Sequence, residues 1–190
     1  MRSLPLFAFP LFLGLAACSE ESETPASAGA GGTSGNVDDG CPRGTLESDI
    51  TYLPRTGPRV DANGVLMPPP AASYVVSSTF LRLRSKDDAN RRFGELMAPI
   101  SALLEQQPGL EALQLAVSGE CKTARTLSVW ASLDVMYDFV ASDAHQTAVR
   151  AVSEVSRGGS VVVHWSAENT EQASWDEAAR RLTAAPGPFY

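Results

Sequence analysis

The chain has 190 residues, a formal net charge of −7 and only two histidines. It holds 15 Lys and Arg against 22 Asp and Glu, and phosphate contacts need basic clusters, so no nucleic-acid partner is expected. Two histidines far apart give no zinc-type spacing, and no metal site is expected.

The chain opens with Arg2 followed by an almost wholly apolar run over residues 4–15. Crossing a bilayer takes roughly 20 apolar residues, so this run is too short and reads as a secretory signal, residues 1–17. It ends in Leu15-Ala16-Ala17-Cys18, which resembles the lipobox of bacterial lipoproteins. The resemblance implies cleavage before Cys18 and acylation of its thiol with chains such as palmitate, which would anchor the protein in the lipid bilayer. The alternative is an ordinary signal peptide that happens to contain a cysteine. Ser19, in place of the aspartate that often retains lipoproteins at the inner membrane, points to the outer membrane, facing the periplasm or the cell surface. Loss of residues 1–17 removes Arg2 and leaves the mature chain one unit more acidic. Residues 18–40 are Ser, Gly, Ala and acids with almost no large apolar side chain. Such a segment cannot offset its ordering entropy, and reads as a flexible tether with a reach of about 25 Å.

With Cys18 lipidated, Cys41 and Cys121 remain as an even pair in an oxidising compartment, and a disulfide is expected. Two buried free thiols are the alternative. Residues 41–72 are rich in Pro and Gly and read as an extended, hairpin-like lead-in lying over the domain. Asp61-Ala62-Asn63-Gly64 is its turn signal. It lacks the further oxygen ligands of a calcium loop.

Residues 73–190 carry the folded domain. "SYVVSSTFLRLR" is β-branched and alternating, a strand, with Arg82 and Arg84 on its solvated face. Ala89, Phe93, Leu96, Met97, Ile100, Leu103 and Leu104 form a helical stripe. Ser85 is expected to cap this helix, Pro99 to kink it and Pro108-Gly109 to stop it. Leu113, Leu115 and Val117 share one face of the next strand. Thr126, Ser128 and Trp130 share a face of the strand after it, with Leu127 and Val129 opposite. Residues 118–122 turn between the two. A helix capped by Ser132 and a second helical piece capped by Asp143 follow, Gln146 completing a capping-box pattern. Gly158-Gly159 leads into the strand "SVVVHWS". A last helix starts at the capping box of Ser174 and Glu177.

The order β-α-β-β-α-β plus a helix predicts an α+β, ferredoxin-like antiparallel sheet with helices on one face and an extra C-terminal helix. About 120 residues suit one core. Helices on one face leave the other open, and an open apolar face calls for a partner, so a homodimer is expected.

"VWASLDVMYDFVASDAHQTAV" resembles the dimeric α/β-barrel superfamily that includes antibiotic-biosynthesis monooxygenases. The shared pattern is a strand ending in Trp130, a helix, then Ser142-Asp143-Ala144-His145. The ending, with Trp165, residues 175–182 and Gly187-Pro188-Phe189, resembles an uncharacterised branch of the same superfamily. The resemblance covers roughly residues 74–190 and implies a ferredoxin-like, dimeric fold. Members include cofactor-free oxygenases of phenols, haem-degrading enzymes and haem-binding proteins. Phe139 stands where the haem-degrading type has a tryptophan, and Val149 where it has the iron-ligating histidine. Haem degradation is not implied, and no cofactor is expected.

Four residues are candidates for chemistry. His145 is read as a general base or phenol-orienting group, or else as a polar residue at a helix start. His164, opposite Val161, Val163 and Trp165, lines a dimer barrel or a cavity near Trp130, or is a satisfied interface histidine. Trp130 and Tyr137 flank an aromatic ligand or pack in the core. No nucleophile elbow, P-loop or dinucleotide fingerprint is present. Three functions follow: a membrane-anchored envelope lipoprotein binding a small apolar or aromatic molecule, a cofactor-independent monooxygenase of phenols, and a non-enzymatic protein-interaction module. The enzymatic reading requires a closed apolar pocket holding a histidine.

Overall fold

The computed structural model describes residues 40–188. The signal, Cys18, the tether up to residue 39, Phe189 and Tyr190 lie outside the described residues. The elements in order are β1 (Thr51–Tyr52), β2 (Tyr74–Arg82), α1 (Asp87–Leu104), β3 (Leu110–Ser118), β4 (Thr123–Trp130), α2 (Leu133–Ala141), α3 (Asp143–Arg150), α4 (Val152–Val155), β5 (Val161–Ala167) and α5 (Trp175–Ala184). The strands form one antiparallel sheet in the order β1-β3-β4-β2-β5. From β2 onward this is the ferredoxin-like α+β arrangement, with β1 added at the β3 edge.

Strand alternation sorts the side chains onto two unequal faces. On one face Tyr74, Val76, Ser78 and Phe80 of β2 join Thr123, Arg125, Leu127 and Val129 of β4 and Val161 and Trp165 of β5, all buried. The lead-in and α5 cover this face. Leu46, Ile50, Val60 and Leu66 from the lead-in, and Trp175 and Ala178 from α5, pack in one cluster with Val76, Leu127, Val129 and Trp165. Further along α5, Leu182 meets Phe80 and Val161. The expectation of a bare second face is therefore corrected: the chain fills that face itself. The core clusters of the described residues all lie within residues 46–185.

The opposite face carries the other helices. Trp130, Leu110 and Met136 cluster there with Val75, Leu113, Val135, Phe139 and Leu104, and α3 and α4 pack on α1 through Ala148, Ala151 and Val155 against Phe93 and Leu96. A bulge at Glu111 sets the register of β3 against β4. It leaves Leu113, Leu115 and Val117 opposite Ser128, Thr126 and Ala124. The large residues of β3 thus face the helices, while those of β4, Leu127 and Val129, face the lead-in.

The lead-in is fastened at several points. Cys41 and Cys121 form a disulfide, joining it to the β3–β4 turn. Its Asp61 side chain closes the turn by accepting from the Asn63 and Val65 N–H groups, with Val60 bridged to Leu66. The Leu53, Thr56 and Arg59 N–H groups donate to Leu115, Leu113 and Glu111 carbonyls, so the lead-in also caps the β3 edge. Beneath it, the buried Arg125 donates to the Glu47 carboxylate at 2.8 Å and to the Arg43 and Thr45 carbonyls. A Cβ on Gly44 would overlap Thr183 Oγ1, so only glycine lets the lead-in lie this close to α5.

Two helix starts differ from expectation. α1 begins after Lys86, in extended backbone and without a side-chain cap, rather than after Ser85. It runs unbroken as a helix through Pro99. α3 is capped by Ser142, whose hydroxyl accepts from the His145 N–H, not by Asp143. The Gln146 amide does not close a capping box but donates to the Val140 carbonyl. The second helical piece divides at Ala151 into α3 and α4. Ser132 and Ser174 cap α2 and α5 through the Val135 and Glu177 N–H groups.

Candidate functional site

Trp130, the last residue of β4, fixes the first part of the site. It is 1% exposed, and its indole N–H donates to Ser128 Oγ at 2.9 Å. Phe139 of α2 stacks on it with ring centroids 5.3 Å apart, and His145 of α3 stands edge-on to Phe139 at 5.0 Å. The three rings form a row from the core to the α2–α3 junction. Trp130 is therefore core, and Phe139 lies between it and His145.

His145 is held at the third position of α3. Its Nδ1 lies 3.1 Å from the Val140 carbonyl. A carbonyl oxygen only accepts, so Nδ1 carries a proton. Burial holds the His145 pKa below the usual histidine value, against the opposing effect of the Val140 carbonyl. The ring is then neutral near pH 7, with its lone pair on Nε2. Among the described residues Nε2 has no hydrogen-bond partner, and it is not among the sealed, unpaired polar atoms. It is open to solvent as an acceptor.

Tyr137 and His164 form a second group. Their rings meet edge-on with centroids 6.0 Å apart. Tyr137 and Phe139 are two apart on α2, a spacing that puts them on different sides of a helix. The helix thus separates Tyr137 and His164 from the Trp130–Phe139–His145 row. His164 pairs with Ser77 and Val162 with Thr79 across the β2–β5 ladder, so all four share the helix-side face with Tyr137. Tyr137 is 47% exposed and Val162 51%. Val75, Ser77, Thr79 and Leu81 of β2 are only half-buried on this face, although β2 lies inside the sheet. The result is an open strip with an apolar and aromatic rim and hydroxyls on its floor.

Two clefts lie elsewhere on the domain. One, of about 550 Å³, is polar and lies beside Glu168, Gln172, Glu177 and Arg181. The other, of about 670 Å³, follows the seam between Thr45, Leu46 and α5. Neither touches a histidine. In the first, Arg180 and Arg181 both donate to the Glu177 carboxylate and hold its pKa down to about 2. Those charges are committed to one another.

A family model described as a domain of unknown function, DUF3291, matches residues 79–186. The chain belongs to the DUF3291 family. The DUF3291 match begins inside β2 and ends just past α5, so it takes in the helix that seals the sheet and leaves out the lead-in. No curated protein matches the sequence. Among solved structures, a candidate monooxygenase from Fusobacterium nucleatum is similar at 8% identity with a TM-score of 0.46, over 63% of this chain and 50% of that one. A candidate antibiotic-biosynthesis monooxygenase from Caulobacter crescentus is similar at 18% identity and a TM-score of 0.42, over 50% of this chain and 89% of that one. A dimeric ferredoxin-like protein of unknown function from a Jannaschia species is similar at 19% identity and 0.42, over 48% and 97%.

Sequence reasoning named both histidines, Trp130 and Tyr137. It did not find Phe139 as the ring that couples Trp130 to His145, nor the Val140 carbonyl that fixes the tautomer. A helix period could have suggested the first. The second is a backbone contact across a helix break, which no side-chain pattern encodes.

Proposed function

We propose that the protein is an envelope lipoprotein, anchored in the outer membrane through acylated Cys18, whose domain binds a small apolar or aromatic molecule along the helix-side strip. The observation that carries the reading is the contrast between the two sheet faces. One is sealed by the lead-in and α5, while on the other Tyr137, Val162 and His164 stay exposed beside half-buried positions of an inner strand. Aromatic surface with a few hydroxyl and imidazole groups suits a flat apolar ligand carrying one polar substituent. Binding of 1-naphthol to the protein is expected to weaken at least tenfold in Tyr137→Ala and in His164→Ala, measured by calorimetry. Unchanged affinity in both variants would remove the strip from the reading. For the anchor, labelled palmitate should enter the wild-type chain in bacteria and not Cys18→Ser, and the label should fractionate with the outer membrane.

A second reading, cofactor-independent oxidation of a phenol, is favoured by one observation. His145 has its Nδ1 proton engaged and its Nε2 lone pair open, the state a base needs to accept a phenol proton. Oxygen uptake with a phenol panel tests it, and equal uptake by the native protein and His145→Ala excludes the residue.

A further inference from the structure

Among the described residues the outer edge of β5 is left unpaired, while the far edge of the sheet is capped by the chain's own lead-in. Arg82, at the end of β2, accepts from the Arg157 N–H and donates to Ser160 Oγ. Even-numbered residues of β2 thus turn their backbone groups toward β5. By the antiparallel register, Val161, Val163, Trp165 and Ala167 spend theirs on Phe80, Ser78, Val76 and Tyr74. Val162, His164 and Ser166 therefore turn their N–H and C=O groups outward, and no described residue bonds to them.

This edge lacks the usual protection. Sheets blunt their edges with charges, prolines or bulges. Residues 158–167 contain no Asp, Glu, Lys, Arg or Pro, and β5 pairs with β2 over its whole length without a register shift. Outward backbone groups at every second residue call for another extended strand. A second copy of β5 supplies one that fits. Run antiparallel about His164, the two copies place Val162 opposite the other's Ser166, so each outward N–H faces an outward C=O. No charge is buried on either side. The arrangement is two-fold symmetric and closes on itself.

We propose that two copies of the chain join along their β5 edges into one continuous sheet. The pairing leaves the sealed face untouched, so it differs from the face-to-face association that a bare sheet would need. It also brings the two helix-side strips together across the seam, with His164 of each copy beside that of the other and Val162 of each beside the other's Ser166. The completion of the strip by a second copy rests on the function proposed above; the pairing itself does not.

Light scattering on residues 40–190, which contain every core cluster of the described residues, tests the pairing over roughly 5–200 μM. A dimer is expected for the native sequence. Val162→Pro removes an outward N–H and no ladder bond, since proline is tolerated on the open side of an edge strand. It should give a monomer with an unchanged circular dichroism spectrum. A native monomer throughout this range, or a dimer that persists in folded Val162→Pro, overturns the pairing. If Val162→Pro is unfolded, Ser166→Pro makes the same test from the other end. Binding of 1-naphthol is read in parallel. Dimerisation without binding removes the ligand strip and keeps the pairing; binding by a native monomer does the reverse.

Discussion

On the sealed face, Arg125 places a buried guanidinium over the Phe80 ring, 4.5 Å from its centroid. Its three nitrogens all donate, and the Glu47 carboxylate that neutralises it also accepts from Thr123. Removing one member of a buried pair strands the other without water, a cost of about 3–5 kcal/mol. Glu47→Ala should show a loss of that size in urea unfolding, and the double variant Glu47→Leu, Arg125→Met should regain most of it. A loss below about 1 kcal/mol would mean that water reaches the guanidinium. Neither residue stands out in the sequence, since a separation of 78 positions leaves no local pattern. His145 makes a different prediction. Burial keeps its folded pKa below the ordinary histidine value of 6.5, so the unfolded chain binds the proton more readily. Stability from the neutral ring is complete above pH 6.5 and declines as the pH falls toward the folded value. The melting temperature should drop between pH 7 and 5, and His145→Gln should flatten that slope. The histidine was legible as a helix-start residue; its neighbours across the break were not.

Among the elements, the regular strands and helices were readable because alternation and the 3.6-residue stripe survive in β2, β4, α1 and α2. Their ends were less so. Ser142 and Asp143 are both good caps by residue type, and only the extended backbone of Ser142, with φ −61° and ψ 149°, decides between them. The lead-in shows the same limit on a larger scale. Its hairpin turn can be read from Asp61 to Gly64, but its docking face cannot, because Leu46, Ile50 and Leu66 are too widely spaced to show a period. Its attachment has a measurable worth. Closing a loop of 80 residues removes about 4–5 kcal/mol of unfolded-chain entropy in the ideal case. Reduction, or Cys41→Ser with Cys121→Ser, should lower the urea midpoint by a matching amount while Glu47 and Arg125 keep the lead-in in place. Retention of the native midpoint on reduction would show that the buried ion pair suffices alone.

For the whole molecule, the order of elements was enough to predict the ferredoxin-like sheet, because four strands and two helical segments in that sequence have few compact solutions. The use of its second face was not legible. A short helix and a Pro-rich segment carry too few large apolar residues to announce a cover; Ala173, Ala178, Ala179 and Ala185 do much of the packing instead. Small side chains allow close approach, and their contribution is one of fit rather than hydrophobic mass. The sealing also fixes polarity along the sheet. The disulfide lies at the Cys121 end of β4 and the Trp130–Phe139–His145 row at the other, about 26 Å away for eight residues of strand. A chain held from its N-terminal side would present the aromatic row at its far end.

The Cys41–Cys121 link also decides how the protein responds to tension. A pull applied before Cys41 crosses the disulfide into the β3–β4 turn, and the loop between the two cysteines, with β2, α1 and β3 in it, is spared from stretching. Stretched by its two ends, the oxidised chain should unravel to a contour shorter than the reduced chain by roughly 270 Å, at 3.3–3.6 Å for each of 80 residues. A single-molecule extension trace taken with and without reductant reads that difference directly.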